Sequence, residues 1–251
     1  MNTIILHIPH SSTTIPLTDG YTHNSETIDR EVNLLTDWFT DELFAHENAI
    51  RIVSPFSRVF CDVERFPDDA DEVMAQYGMG MLYTKTDDGL ELRNVNAMLR
   101  ERIKRDFYDH HHAAFLKAVD EALAANGEVL ILDCHSYRDV PFNRDLIKKQ
   151  PRPDFNIGTD AYHTTDNLRQ FSLEFFSSSG YSILDNDPYA GAITPLKYYQ
   201  EDKRVKSIML EINRKLYMQQ TDAEMPLKSE NFDSVQTLIY AFIDGLLRCK
   251  L

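Results

Sequence analysis

The sequence predicts an α/β fold: a single domain holding a mostly parallel, mixed sheet with helices on both faces. Short β-branched runs alternate with longer segments of helical periodicity, the pattern of strands laid into one sheet and covered by helices. Two runs, VLILDC at 129–134 and SIMLEI at 207–212, are nearly continuously apolar, as strands buried on both faces are. With 251 residues, 43% of them apolar, the chain can bury one sizeable core.

The β-branched runs place strands at 3–8, 50–54, 59–63, 129–134, 181–184 and 207–212. Helical periodicity places two short helices within 25–47 and others at 94–125, 165–178 and 232–249. In the second of these regions Leu99, Ile103, Phe107, Phe115, Val119 and Leu123 recur on one face, which predicts a long helix. Loops are expected at 11–20, 67–89 and 141–153, and each follows a strand-like segment. No repeat, low-complexity tract or Pro/Ser-rich linker marks a domain boundary.

The formal charge of −14 argues against a nucleic-acid partner, because binding a polyanion relies on concentrated Lys and Arg. Cys61, Cys134 and Cys249 are too few and too scattered for a disulfide framework and are expected as reduced thiols. Neither a signal-like start nor a membrane-length apolar run occurs, so no membrane partner is expected and the expected location is cytoplasmic.

Two strands each deliver a histidine at the C-terminal end: His10 in HIPHSS and His135 in LDCHSYR. In α/β sheets this edge is where ligands bind, and a rigid strand holds the side chain that follows it. A single loop histidine commonly bonds only backbone; two in matched positions point to a shared metal site. Zinc takes about three protein ligands and leaves a position open, so a carboxylate must join them. Asp37, in a helix first turn that Thr36 could cap, Glu64 at the end of the 59–63 run, and Glu31 on the apolar side of its helix are the candidates.

Glu211 lies between Leu210 and Ile212, where an unpaired charge is costly. Desolvation raises a carboxyl pKa toward the working range of a general base, although an ion pair with Arg214 would explain the position equally well. Arg58, Arg65, Arg138 and Arg214 recur at strand ends, and guanidinium groups grip carboxylates bidentately, so a small anionic substrate is the expected partner. Of His110, His111 and His112, consecutive on a helix and about 100° apart, at most one can face a given site. Asn186 and Tyr189 belong to the turn NDPYAG. No P-loop, GxGxxG or GxSxG is present.

Taken in order, HIPHSSTTIP, TDWFTDELF, SRVFCDVER, FYDHHHAAF, LDCHS, DFNIGTD, NDPYAG and EINRKLYM resemble the N-formylglutamate amidohydrolase family. The resemblance implies a phosphorylase/hydrolase-like, zinc-exopeptidase-like fold and hydrolysis of the N-formyl amide of glutamate to formate and the amino acid. It implies one Zn2+ held by His10, Asp37 and His135, Glu211 as the base, and Arg65 on a substrate carboxylate. His112, Asn186 and Tyr189 also match the family pattern. One position departs from it: the family's DxNR reads DVER here, placing Glu64 where an asparagine is usual. That added negative charge keeps open a different N-acyl amino acid or a small peptide-like amide as the substrate; the rival from another class is a non-catalytic small-ligand binding protein on the same fold.

Overall fold

The structure, a computed structural model, describes residues 2–219 and 226–250. The strands are β1 Ile4–Ile8, β2 Ile50–Val53, β3 Val129–Tyr137, β4 Phe155–Gly158, β5 Ile183–Asp185 and β6 Val205–Asn213. They form one sheet in the order β2-β1-β3-β6-β4-β5. Its pairings are parallel except between β4 and β6, which run antiparallel. The expected mixed, mostly parallel sheet is therefore present, and β1, β3 and β6 are buried along their whole lengths.

Helices α1 Ser25–Leu35, α2 Thr40–Leu43, α3 Ala97–Ile103, α4 Asp109–Asn126, α5 Asp166–Ser178 and α6 Phe232–Arg248 accompany it. Alternation along the strands sorts the core into two layers. Leu6, Leu132 and Leu210 meet Phe176 of α5 and Phe242 and Leu246 of α6. On the other face Ile5, Ile131 and Val205 meet Phe115, Val119 and Leu123 of α4. Asn24, Asn96 and Thr165 cap the first turns of α1, α3 and α5 with their side chains. Gly127, at φ 78, ends α4 in the left-handed conformation.

Four sequence expectations are corrected. Residues 59–63 are not a strand: Phe60 and Cys61 N–H groups both turn back to the Ser57 carbonyl, and Val59 and Val63 are buried in the long connection after β2. The strand β4 was not anticipated, because four residues between Pro153 and Gly158 give too short a pattern; it pairs along β6. The 94–125 helix begins at Ala97 and is interrupted by a π-helical turn, Lys104–Tyr108. Its apolar stripe repeats every four residues, and the wider turn keeps that stripe on one side. Thr36 caps no first turn: it ends α1, donates its hydroxyl to Val32 O, and leaves Asp37 in the bend before α2.

No helix among the described residues is long and apolar enough to cross a membrane. Phe242, fully buried, packs against Phe171, Phe175 and Phe176. Phe242→Ala should lower unfolding free energy by about 3–5 kcal/mol in a denaturant titration. A loss below about 1 kcal/mol would mean that α6 does not close the core as described.

Candidate active site

On the α4 side of the sheet, the apolar layer gives way to ionisable groups toward the C-terminal strand ends. Ile5 is followed two residues on by His7, and Ile131 by Asp133 and then His135. Glu211 of β6 stands in register with His135, and Asp133 stands in register with His7. Parallel register partners share a face, so these side chains gather on one floor. His10 follows the end of β1, and its carbonyl accepts the Asp37 N–H at 2.9 Å, which fastens the α1–α2 bend to the strand end.

His10, Asp37 and His135 are all buried and offer ligand atoms within 4.8 Å of one another. Asp37 Oδ2 lies 3.2 Å from His135 Nδ1 and 3.6 Å from His10 Nδ1. The opposite ring nitrogens are committed elsewhere: His10 Nε2 meets Asp62 Oδ1 at 2.9 Å, and His135 Nε2 meets Asp133 Oδ1 at 3.1 Å. Both imidazoles thus aim Nδ1 at a common point with a carboxylate behind, the arrangement that fixes tautomer and raises basicity in metal-ligating histidines. Among the described residues His10 Nδ1 has no hydrogen-bond partner. Two imidazole nitrogens and a carboxylate oxygen suit a divalent ion such as Zn2+, so the residues present fit one.

Charges around this trio are matched in pairs. Arg214 donates to Asp37 Oδ1 at 2.8 Å and to Ser136 Oγ at 3.1 Å. Asp62 Oδ2 accepts from Arg58 at 3.0 Å and from the Tyr83 hydroxyl at 2.7 Å. Burial alone would raise the Asp62 pKa, but His10 and Arg58 hold the carboxyl well below the ordinary range. Burial opposes charge on His135 too, and Asp133, Asp37 and Glu64 together outweigh it, raising the imidazole well above its usual value. Glu211 differs: burial pushes its carboxyl up to about 8, and its Oε2 has no hydrogen-bond partner among the described residues.

One cavity of about 620 Å³ is lined by His10, Asp37, His135 and Glu211, with Arg58, Arg65, His112, Asn186 and Tyr189 also on its walls. Among the described residues Arg65 Nε has no hydrogen-bond partner; it lies 3.7 Å from Asp62 Oδ2. Three of these wall residues also bond protein groups through their polar atoms. His112 bonds Val63 O through Nε2 at 2.9 Å. Asn186, at φ 53, spends its amide on Thr159. Tyr189 shares its hydroxyl with Arg152 and Asp145.

Arg214 serves Asp37 rather than the cavity wall, and Arg138 stacks on Phe142, 5.6 Å from its ring, outside the lining. Glu31 is buried but turned to Arg144 and the Asp87 N–H, away from the histidines. Glu64 is neither turned away nor paired to an arginine. Its Oε1 lies 2.9 Å from His7 Nδ1, and its Oε2 lies 3.9 Å from His135 Nε2.

Sequence reasoning missed His7, Asp62, His111 and Asp133. His7 Nδ1 is 3.1 Å from Asp133 Oδ1, while its Nε2 is 2.9 Å from His111 Nε2. The signals were a charged residue inside each of two buried strands, and a histidine at the four-residue step between Phe107 and Phe115. His7, Glu64 and Asp133 form a second group able to hold a cation.

Arg214→Met should cost about 3–5 kcal/mol of stability in chemical denaturation, because Asp37 would remain buried without its cation. A near-neutral result would mean that Asp37 is held otherwise. Burial disfavours a charged His7, yet Asp133 and Glu64 outweigh it and push the pKa up to about 9. A raised histidine contributes its stabilisation fully below the unfolded value of 6.5 and loses it as pH rises through about 9. Metal-free protein should therefore weaken across that window, and His7→Gln should flatten the slope; an unchanged slope in the variant would assign the effect to other groups.

The N-formylglutamate amidohydrolase family model matches residues 2–218. No curated protein matches the chain. The crystal structure of N-formylglutamate amidohydrolase from Ralstonia eutropha JMP134 is similar, with a TM-score of 0.83 and 22% identity over 98% of this chain and 94% of that one. The gene product Atu2144 from Agrobacterium tumefaciens aligns with a TM-score of 0.64 and 17% identity, over 98% and 90% of the two chains. At these identities the two structures speak for the fold, and the family match spans most of the sequence: the chain belongs to the N-formylglutamate amidohydrolase family.

Proposed function

We propose that this protein hydrolyses the N-acyl amide bond of a carboxylate-bearing amino acid, N-formyl-L-glutamate being the first substrate to test, with one divalent ion, Zn2+ by its donor set, held by His10, Asp37 and His135. The convergence of His10 Nδ1, Asp37 Oδ2 and His135 Nδ1 beside the unpartnered Glu211 carboxylate is the observation that carries this. Such an ion, when bound, supplies a Lewis acid for the amide carbonyl and acidifies a water.

The rest of the chemistry falls to the chain. Glu211 takes a proton from the attacking water as the new C–O bond forms and delivers it to the departing nitrogen as the C–N bond breaks. Burial raises its pKa from the ordinary carboxylate range toward the operating pH, as a group that both takes and returns a proton requires. Asp62 and Asp133 hold the two imidazoles from behind, so neither ring must reorganise during turnover. Arg65, which lines the cavity, binds the substrate carboxylate and fixes the amide over the floor. A cytoplasmic location belongs to the same proposal, supported by the free buried thiols of Cys61 and Cys134.

Chelation should abolish hydrolysis of N-formyl-L-glutamate, and added Zn2+ should restore it. Glu211→Gln should lower kcat by about 10²–10⁴-fold while retaining the ion; normal turnover would remove Glu211 from the role. Asp62→Asn should weaken Zn2+ binding by about 10–100-fold in calorimetry. Ion binding without hydrolysis of any N-acyl amino acid would favour the non-catalytic alternative.

A further inference from the structure

The cavity over the floor, about 620 Å³, falls in the range of about 300–1,000 Å³ that encloses a drug-sized ligand. N-formylglutamate is a short dicarboxylate with only two side-chain methylenes to lay on an apolar wall. Yet Phe66, Leu146, Ile147, Leu196 and Tyr199 all line this cavity while keeping exposures of 37% to 64%. Large apolar side chains left in water and gathered around one opening mark a surface that an apolar ligand covers.

The charge of the lining points the same way. Carboxylates outnumber arginines on its walls, and the arginines are Arg58, Arg65 and Arg144. Arg58 is spent on Asp62 and Tyr83, and Arg144 on the Lys85 carbonyl and the nearby Glu31 and Asp87. Arg65 stands 3.7 Å from Asp62 and, among the described residues, its Nε makes no hydrogen bond, so it is the arginine left to meet one carboxylate. Glu64, on the same wall, is paired with His7, its Oε1 2.9 Å from His7 Nδ1, and offers no positive charge to a second carboxylate.

We propose, resting on the amide-hydrolysis reading above, that the preferred substrate is an N-acyl amino acid with a single carboxylate and an apolar acyl chain of several carbons. The carboxylate sits at Arg65, on the connection after β2. The acyl chain runs along Leu146 and Ile147, from the connection after β3, and Leu196 and Tyr199, from the connection after β5. Each methylene moved from water onto that wall contributes to binding.

The test is a series of N-formyl-, N-butanoyl-, N-hexanoyl- and N-octanoylglycine, alongside N-formylglutamate, with the full chain supplied with Zn2+. kcat/KM should rise by about tenfold or more from the formyl to the hexanoyl compound. In the double variant Leu146→Ser/Leu196→Ser, at two exposed positions, the hexanoyl-to-formyl ratio should fall toward one. A flat or falling series, or N-formylglutamate as the best substrate, overturns the proposal. If nothing is hydrolysed, calorimetry separates the two claims. Affinity that climbs with chain length supports the acyl subsite while the hydrolytic reading fails, and chain-length-independent affinity overturns the subsite as well.

Discussion

The pairing of buried charge at the ends of β1, β3 and β6 is the constraint on which the rest of the site depends. A carboxylate or imidazolium without a partner at this depth would cost several kcal/mol. The chain meets that cost pair by pair: Asp37 with Arg214, Asp62 with His10 and Arg58, and Asp133 with His135 and His7. Each pair also aims a side chain, so the interactions that make the floor tolerable also orient the Nδ1 atoms of His10 and His135. Glu211 Oε2 has no hydrogen-bond partner among the described residues, and burial raises its pKa.

This division of labour explains the placement of the long connections. The stretch between β2 and α3 supplies Arg58, Asp62, Glu64 and Arg65, and it buries Val59, Phe60, Met81 and Leu82 to hold them in place. Gly158 lets the segment after β5 lie on the sheet, since a Cβ there would come within 2.3 Å of the Gly191 carbonyl. That close approach brings the 186–199 wall over the floor.

Much of this was legible in the residues, because continuous apolar runs leave few alternatives to buried strands and strand-end histidines stand out against them. His10, His135 and Glu211 follow from that pattern, and Asp37 follows only once the family motifs are aligned. The failures share a cause. His7 and Asp133 sit inside strands whose apolar neighbours dominate the pattern, so they read as core. Asp62 was hidden in a run that looks like a strand but folds as turns, since its carboxylate is wanted by His10, Arg58 and Tyr83 together. Arg214 and Arg138 show the limit of reasoning from strand-end position: it brings a guanidinium near the floor without saying whether a buried aspartate has already claimed it.

The central claim, that the Nδ1 atoms of His10 and His135 and an Asp37 oxygen converge on one ion, is tested most directly by X-ray absorption at the zinc edge of the Zn2+-loaded protein. The geometry predicts two imidazole nitrogens at about 2.0–2.1 Å with oxygen ligands completing the sphere. Ring multiple scattering should fall by half in His10→Ala. A spectrum with no imidazole contribution, or one unchanged by His10→Ala, would contradict it.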